Sequence, residues 1–437
     1  MNAASGRRIL GFLGVLAMVA ASASAQGMFR GDPAHTGVYA GAAPRALHGV
    51  KWQFATGGPV LSSPVFDRGL VYFGSGDGNV YAVDAETGVQ RWMFATRGAV
   101  DSTPAVDQGL VFAVSYDGGL YALDAATGRQ RWRFATGGER RFEAKGIHGL
   151  PPHNQTFFDA WDMFLSSPVV AKGAVIFGSG DGNIYAVEET TGALRWKVAT
   201  GDVVHASPAY DGDTIYVGSW DSVLYALDAA SGKERWRFQA GQDPVVHNQV
   251  GFQGSPAVAA GTVYVGCRDA HLYAIDAATG KPRWNLPTKG SWVVASPAVA
   301  QGRVIFGTSD SKLLHVLDAE SGKPVYEHAE NSYLFSSPAV AADTIVLGKM
   351  NGGLVALDLA TGKPLWEYQT ERSKLNAGWL LEADRSHNGA MTFRPGDYGT
   401  GPGVDRLFSL GVVASSPLVA NGVVYFGSTD GFVYALR

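Results

Sequence analysis

From residue 51 onward the chain is written in short apolar runs separated by clusters of Gly, Asp, Asn, Ser and Thr. One stretch shows the arrangement: Pro64–Asp67, Leu70-Val71-Tyr72-Phe73, Val80-Tyr81-Ala82-Val83 and Gln90–Ala95, with turn residues between them. Runs of this length bounded by such residues predict four strands, A to D. Their apolar positions are consecutive rather than alternate, which predicts strands covered on both faces. Strand C carries a further constraint. Val80-Tyr81-Ala82-Val83, Leu120-Tyr121-Ala122-Leu123, Leu224-Tyr225-Ala226-Leu227 and Leu272-Tyr273-Ala274-Ile275 all keep a small alanine in one place, as close contact between stacked sheets requires.

The four-strand pattern recurs. A Ser/Thr-Pro pair opens each copy, at Pro64, Pro104, Pro168, Pro208, Pro256, Pro297, Pro338 and Pro417, with steps of 40, 64, 40, 48, 41, 41 and 79. A period near 40 with four strands is that of a propeller blade. The last copy runs out at Tyr434-Ala435-Leu436-Arg437, before its strand D, while an orphan strand D stands at Lys51–Thr56 and matches Arg91–Thr96. Pairing the two removes an exposed strand edge. The expected fold is therefore all-β: an eight-bladed propeller of four-stranded antiparallel blades, closed by the N-terminal strand pairing with the last blade. It spans residues 51–437, after an N-terminal segment at 26–50, with insertions near 139–164, 242–252 and 371–410.

The sequence Phe-Gly-Ser-Gly-Asp-Gly-Asn occurs at 73–79 and again at 177–183. A phosphate-binding loop should open a helix, and an EF-type calcium loop needs several spaced acids. Here the stretch opens strand C, so it reads as a hairpin turn in which glycine supplies a positive φ. The Asp84/Thr87/Gly88 turn between strands C and D, repeated for example as Asp228/Ser231/Gly232, reads the same way.

Composition narrows the functional classes. Residues 1–25 pattern as a secretory signal, with Arg7 and Arg8, an apolar run to Ala20, and Ala23-Ser24-Ala25 before Gln26. A periplasmic or secreted protein is expected, without a membrane anchor because no apolar run is long enough to span a bilayer. Removing that segment takes the formal charge from −4 to −6, and no basic cluster is present, which excludes a nucleic-acid partner. The single cysteine, Cys267, rules out an intrachain disulfide and reads as a packed small residue. A monomer is expected.

The repeat Ala-x-Asp-x-x-Thr-Gly-x-x-x-Trp, as in Ala82 to Trp92, resembles that of the pyrroloquinoline-quinone-type propeller family. The resemblance implies that Trp52, Trp92, Trp132, Trp196, Trp236, Trp284 and Trp366 dock between blades, with Tyr326 replacing Trp in blade six. The family holds quinoprotein dehydrogenases, which bind the quinone with calcium on the central axis, and cofactor-free propellers such as the lipoprotein of the outer-membrane assembly machinery. This chain lacks the paired cysteines and haem motif of the former, and Gln26 replaces the lipidated cysteine of the latter. The cofactor is open: none, or the quinone with calcium.

Up-and-down strand order places all three insertions, being D-to-A crossings, on one face together with the B–C turns. Long loops on a rigid scaffold commonly carry sites. The tryptophans outside the repeat fall there: Trp161 and Trp379 in insertions, Trp220 in a B–C turn and Trp292 in a crossing. So do His148, His153, His205, His247, His271 and His387, with Glu382, Asp384 and Arg385 supplying charge. No metal site is read from their spacing. Such residues either pack the insertions or bind a small molecule or periplasmic protein at a partly solvated mouth. Binding is the preferred reading, and a quinone-dependent oxidoreductase using the same face is the alternative.

Overall fold

The computed structural model describes residues 27–145, 154–241, 250–394, 397 and 400–437. The signal-like segment lies outside them. Eight four-stranded antiparallel sheets follow one another in chain order, the first being Val65–Asp67, Leu70–Gly74, Asn79–Asp84 and Gln90–Ala95. The eighth is composite. Leu418–Ala420, Val423–Gly427 and Phe432–Leu436 take Val50–Ala55 as their fourth strand, antiparallel, with Phe54 opposite Val433. The expected closure is present.

Burial departs from the expected two-sided pattern in one place. Strands B and C are almost wholly buried, but strand D alternates, as in Gln90–Ala95, because it forms the outer rim and keeps one face in water. Its inward tryptophan clamps the next blade. Trp92 Nε1 donates to Ala125 O at 2.9 Å, and the ring lies against Gly128, whose φ is +70° and where a Cβ would come within 2.7 Å of the indole. Equivalent bonds run from Trp52, Trp132, Trp196, Trp236 and Trp284. Tyr326 does the same with its hydroxyl, on Leu359 O. Trp366 meets no such turn in the composite blade and bonds Pro44 O instead.

The Asp-Gly turns act as staples on the opposite face. Asp77 accepts from Gly57 N of the preceding crossing at 2.7 Å, from Tyr81 Oη at 2.7 Å and from Asn79 N at 3.0 Å, while Gly78 holds φ +88°. Asp117, Asp181, Asp221 and Asp269 repeat the bonds to Tyr and crossing N–H. The repeated Phe-Gly-Ser-Gly-Asp-Gly-Asn stretch is thus a structural joint between blades.

Two features of the axis are new. First, the Ser/Thr before each blade's proline forms a belt bonded at seven of its eight joints: Ser63 N donates to Thr103 Oγ1, Thr103 N to Ser167 Oγ, Ser167 N to Ser207 Oγ, Ser207 N to Ser255 Oγ, Ser255 N to Ser296 Oγ, Ser296 N to Ser337 Oγ and Ser416 N to Ser63 Oγ. Second, the N-terminal segment plugs the ring. Carbonyls of Gly27, Pro33, Ala34, Thr36 and Gly37 accept from strand-A N–H groups of Val106, Tyr210, Val258, Val299 and Val340, and Val38–Tyr39 pairs in parallel with Val340–Ala341. The insertion face is closed differently. There a short hairpin joins Glu143–Lys145 to Thr156–Phe158, and the third insertion folds as α1 (Glu371–Leu380), α2 (Gly389–Thr392) and α3 (Gly401–Phe408). Among the described residues no helix is long and apolar enough to cross a membrane.

Candidate functional site

Each blade contributes one side chain directly above the hydroxyl belt. Leu61, Asp101, Leu165, His205, Gln253, Val294, Phe335 and Ala414 form this tier, and with the belt they enclose a small axial chamber of about 40 Å³. Phe29 of the N-terminal plug borders it, as does Phe164 of the first insertion. The chamber has room for a few waters at most. Within it, burial pushes the Asp101 carboxyl up to about 7 despite the opposing charge of Arg141.

A buried polar cluster anchors the first insertion beside the chamber. His205 Nδ1 lies 2.7 Å from Asp162 Oδ1, and its Nε2 lies 3.7 Å from Glu139 Oε2. Burial lowers the His205 pKa, but the Asp162 and Glu139 carboxylates outweigh it and hold the group at about 10. The imidazolium therefore pins both roots of the insertion, since Asp162 Oδ2 also accepts from Phe142 N at 2.6 Å. A folded value above the unfolded one means the contribution is complete below pH 6.5 and is lost as pH rises toward 10. Denaturant titrations across pH 6–10 should show a fall of roughly 2–4 kcal/mol, and His205→Gln should flatten it. A wild-type curve parallel to the variant's would refute the assignment.

Next to this cluster, Arg268 is fully buried and donates to Asp159 Oδ2 at 2.5 Å. Its guanidinium lies 3.6 Å from the centre of the Trp292 ring and 4.8 Å from that of Trp220, and Phe142 stacks on Trp220 at 4.3 Å. Trp220 and Trp292 therefore flank a buried cation. Both stack on the guanidinium, in the manner of cation–π contacts.

Trp292 also faces a second, larger cavity of about 270 Å³, together with Trp161, Tyr333, Phe335 and Phe393. Trp161 is its hub, with ring centres 5.4 Å from Phe335, 6.3 Å from Tyr333 and 6.4 Å from Phe393. Local bonds set the two indoles. Asp159 Oδ1 accepts from Trp161 N, Gln253 donates to Trp161 O, and Trp292 N donates to Ser309 Oγ. Phe393 follows α2 and lies so close to Gly403 of α3 that a Cβ there would be 2.2 Å away. Ser309, Asp310 and Thr400 supply the polar part of the lining.

Of the residues picked out in the sequence, Trp161, Trp292, Trp220 and His205 are brought together here. They are buried rather than partly solvated, since the insertions close over them. The others stand apart from the cavity. Trp379 is exposed on α1, with Arg394 5.5 Å from its ring centre. His271 stacks on Tyr273 in strand C of blade five. Glu382 and Asp384 are exposed in a tight turn, and Arg385 in that turn bonds Gln369 and Ser373. His387 packs edge-on against Tyr333, behind the cavity wall, and burial lowers its pKa to about 4. His148, His153 and His247 lie outside the described residues. Cys267 is buried, its thiol held well above the usual range, and its Sγ points to Gly251 O. Missed altogether were Arg268, Asp159, Tyr333, Phe335 and Phe393. A signal for Arg268 existed: it occupies the place of Gly76 in its blade, as Trp220 does in blade four, and side chains there face the insertions.

The fold is shared with solved propellers. BamB from Moraxella catarrhalis is 17% identical, with a TM-score of 0.65, covering 89% of this chain and 99% of its own. A europium-containing methanol dehydrogenase is 16% identical, with a TM-score of 0.69 and coverage of 95% and 98%. Quinohemoprotein alcohol dehydrogenase from Comamonas testosteroni is 17% identical, with a TM-score of 0.66 and coverage of 94% and 80%. No curated protein sequence matches. The family model described as outer membrane protein assembly factor BamB matches residues 43–147, 154–251 and 246–386, most of the propeller, and with the Trp clamps and the closed ring in view the chain belongs to that family.

Proposed function

We propose that this protein is an exported, periplasmic propeller that binds a small ligand or a protein partner at its insertion-bearing face. The observation that carries the reading is the aromatic cavity between the first and third insertions, whose walls come from five separate chain segments. Its volume lies near the lower end of small-molecule pockets. The basic-apolar-small pattern of residues 1–25 supports export, and the matched family's description as an assembly factor agrees with a binding role.

The quinone with calcium does not fit the residues present. A planar tricarboxylate on the axis would need cations open to it, but Arg268, although its Nε and Nη2 make no hydrogen bond, is fully buried, ion-paired with Asp159 through Nη1 and flanked by two indoles. Of the carboxylates nearest the axis, Asp162 is committed to His205 and Phe142 N and Glu139 to Ser179 and Gly180 N, while burial raises Asp101 to about 7. Among the described residues no group of three His, Cys, Asp or Glu is placed to hold a metal. Phe164 and Phe335 border the axial chamber, leaving about 40 Å³ there.

The test is native mass spectrometry with an absorption spectrum on protein purified from its own host, wild type beside Phe393→Ala. Phe393 is partly exposed, so its truncation should spare folding. A bound mass or co-purifying partner that is reduced at least tenfold in the variant is the expected result. A quinone absorption band retained in both would overturn the reading.

A further inference from the structure

The cavity has an acid that the rest of the fold does not use. In blades one to five the aspartate of the B–C turn accepts from a tyrosine hydroxyl four residues on, as Asp77 does from Tyr81. Blade six breaks this arrangement. His315 stands opposite Phe306, where Tyr81 stands opposite Phe73, and the turn preceding it is one residue longer. The histidine stacks on Phe306 at 4.8 Å and lies 3.0 Å from Glu327, away from the turn. Asp310 is left exposed at the cavity, and its Oδ2 accepts from Ser309 Oγ at 3.2 Å.

An unpaired carboxylate beside five aromatic rings is a defined chemical environment. The ring faces carry negative electrostatic potential and attract a cation that is weakly hydrated, and the carboxylate adds a longer-range attraction. The nearest buried cation, Arg268, is neutralised by Asp159, so it offsets little of that field. The apolar walls disfavour a compact ammonium that would lose its water, and favour one whose charge is spread over methyl groups.

Resting on the reading of this cavity as a ligand site, we propose that it receives a quaternary ammonium group, held among Trp161, Trp292, Tyr333, Phe335 and Phe393 with Asp310 as counter-ion. The ligand class is a small trimethylammonium compound, free or as the head of a larger molecule.

Calorimetric titration of the full mature protein with choline, and separately with its neutral isostere 3,3-dimethylbutanol, tests this. Choline should bind about tenfold more tightly than the isostere, which corresponds to roughly 1.4 kcal/mol. Asp310→Asn should weaken choline several-fold without changing the isostere or the melting temperature, and Tyr333→Leu, which removes a ring but keeps apolar bulk, should weaken choline more than the isostere. Equal binding of the two compounds would overturn the ammonium assignment while leaving a ligand cavity in place. Absence of heat with both also overturns it, and the broader reading falls only if the host-purified protein carries no ligand or partner either.

Discussion

Deleting residues 27–57 should leave a protein that is aggregated or readily cleaved by protease. The deletion removes Val50–Ala55, which supplies the outer strand of blade eight, so Phe432–Leu436 becomes an open, apolar strand edge. Such edges pair with other chains. The same deletion withdraws the plug whose carbonyls accept the strand-A N–H groups of Val106, Tyr210, Val258, Val299 and Val340. It also removes Pro44 O, the acceptor of Trp366. Deleting only residues 27–42 separates the two roles: the ring still closes, and the protein should elute as the undeleted protein does, with a lowered melting temperature. Size-exclusion chromatography and thermal melting read both outcomes. A monomeric 27–57 deletion with an unchanged melting temperature would show that the N-terminal strand does not close the ring.

Trp92→Ala should cost about 3–5 kcal/mol, the range for deleting a large buried aromatic. The indole closes the seam between blades one and two, bonding Ala125 O and covering Gly128, and the neighbouring turn cannot collapse into the vacated space because its strands are pinned in the ladder. Trp379→Ala should cost less than about 1 kcal/mol, since that side chain is exposed. The sequence pattern also suggests that Trp161→Ala is mild. The structure reverses this: Trp161 is 6% exposed and packs among Leu61, Met163 and Leu410, so its loss should resemble that of Trp92. Urea titrations of the three variants decide it, and a Trp161→Ala protein as stable as Trp379→Ala would contradict this account of the packing.

Blade number, strand positions to within a residue and closure were legible in the chain, because each rests on local, repeated signals: a 40-residue period, Asp-Gly turns, and a Trp-bearing strand at the wrong end. The belt was half legible. Ser or Thr precedes every landmark proline, yet nothing in one repeat says that its N–H will find the hydroxyl of the next. The plug was not legible, because residues 27–39 resemble no repeat and are held through their backbone carbonyls, which every sequence has.

The candidate site divides along the same line. Four tryptophans and six histidines could be assigned to one face from strand direction alone, since topology places loops without knowing their shape. Which of them meet was settled by how the insertions fold back. Trp161 reaches Phe335 and Phe393 across more than 170 residues of chain, and Arg268 reaches Asp159 across 109. Contacts of that separation depend on the closed ring bringing distant crossings to one mouth, and no local pattern encodes them. Trp379, by contrast, was steered outward by the pitch of α1, a helix with no strong apolar stripe to announce its orientation. Repetition therefore specified the scaffold residue by residue, whereas the cavity arose where the repeats are interrupted, and there burial and charge pairing across the ring chose the partners.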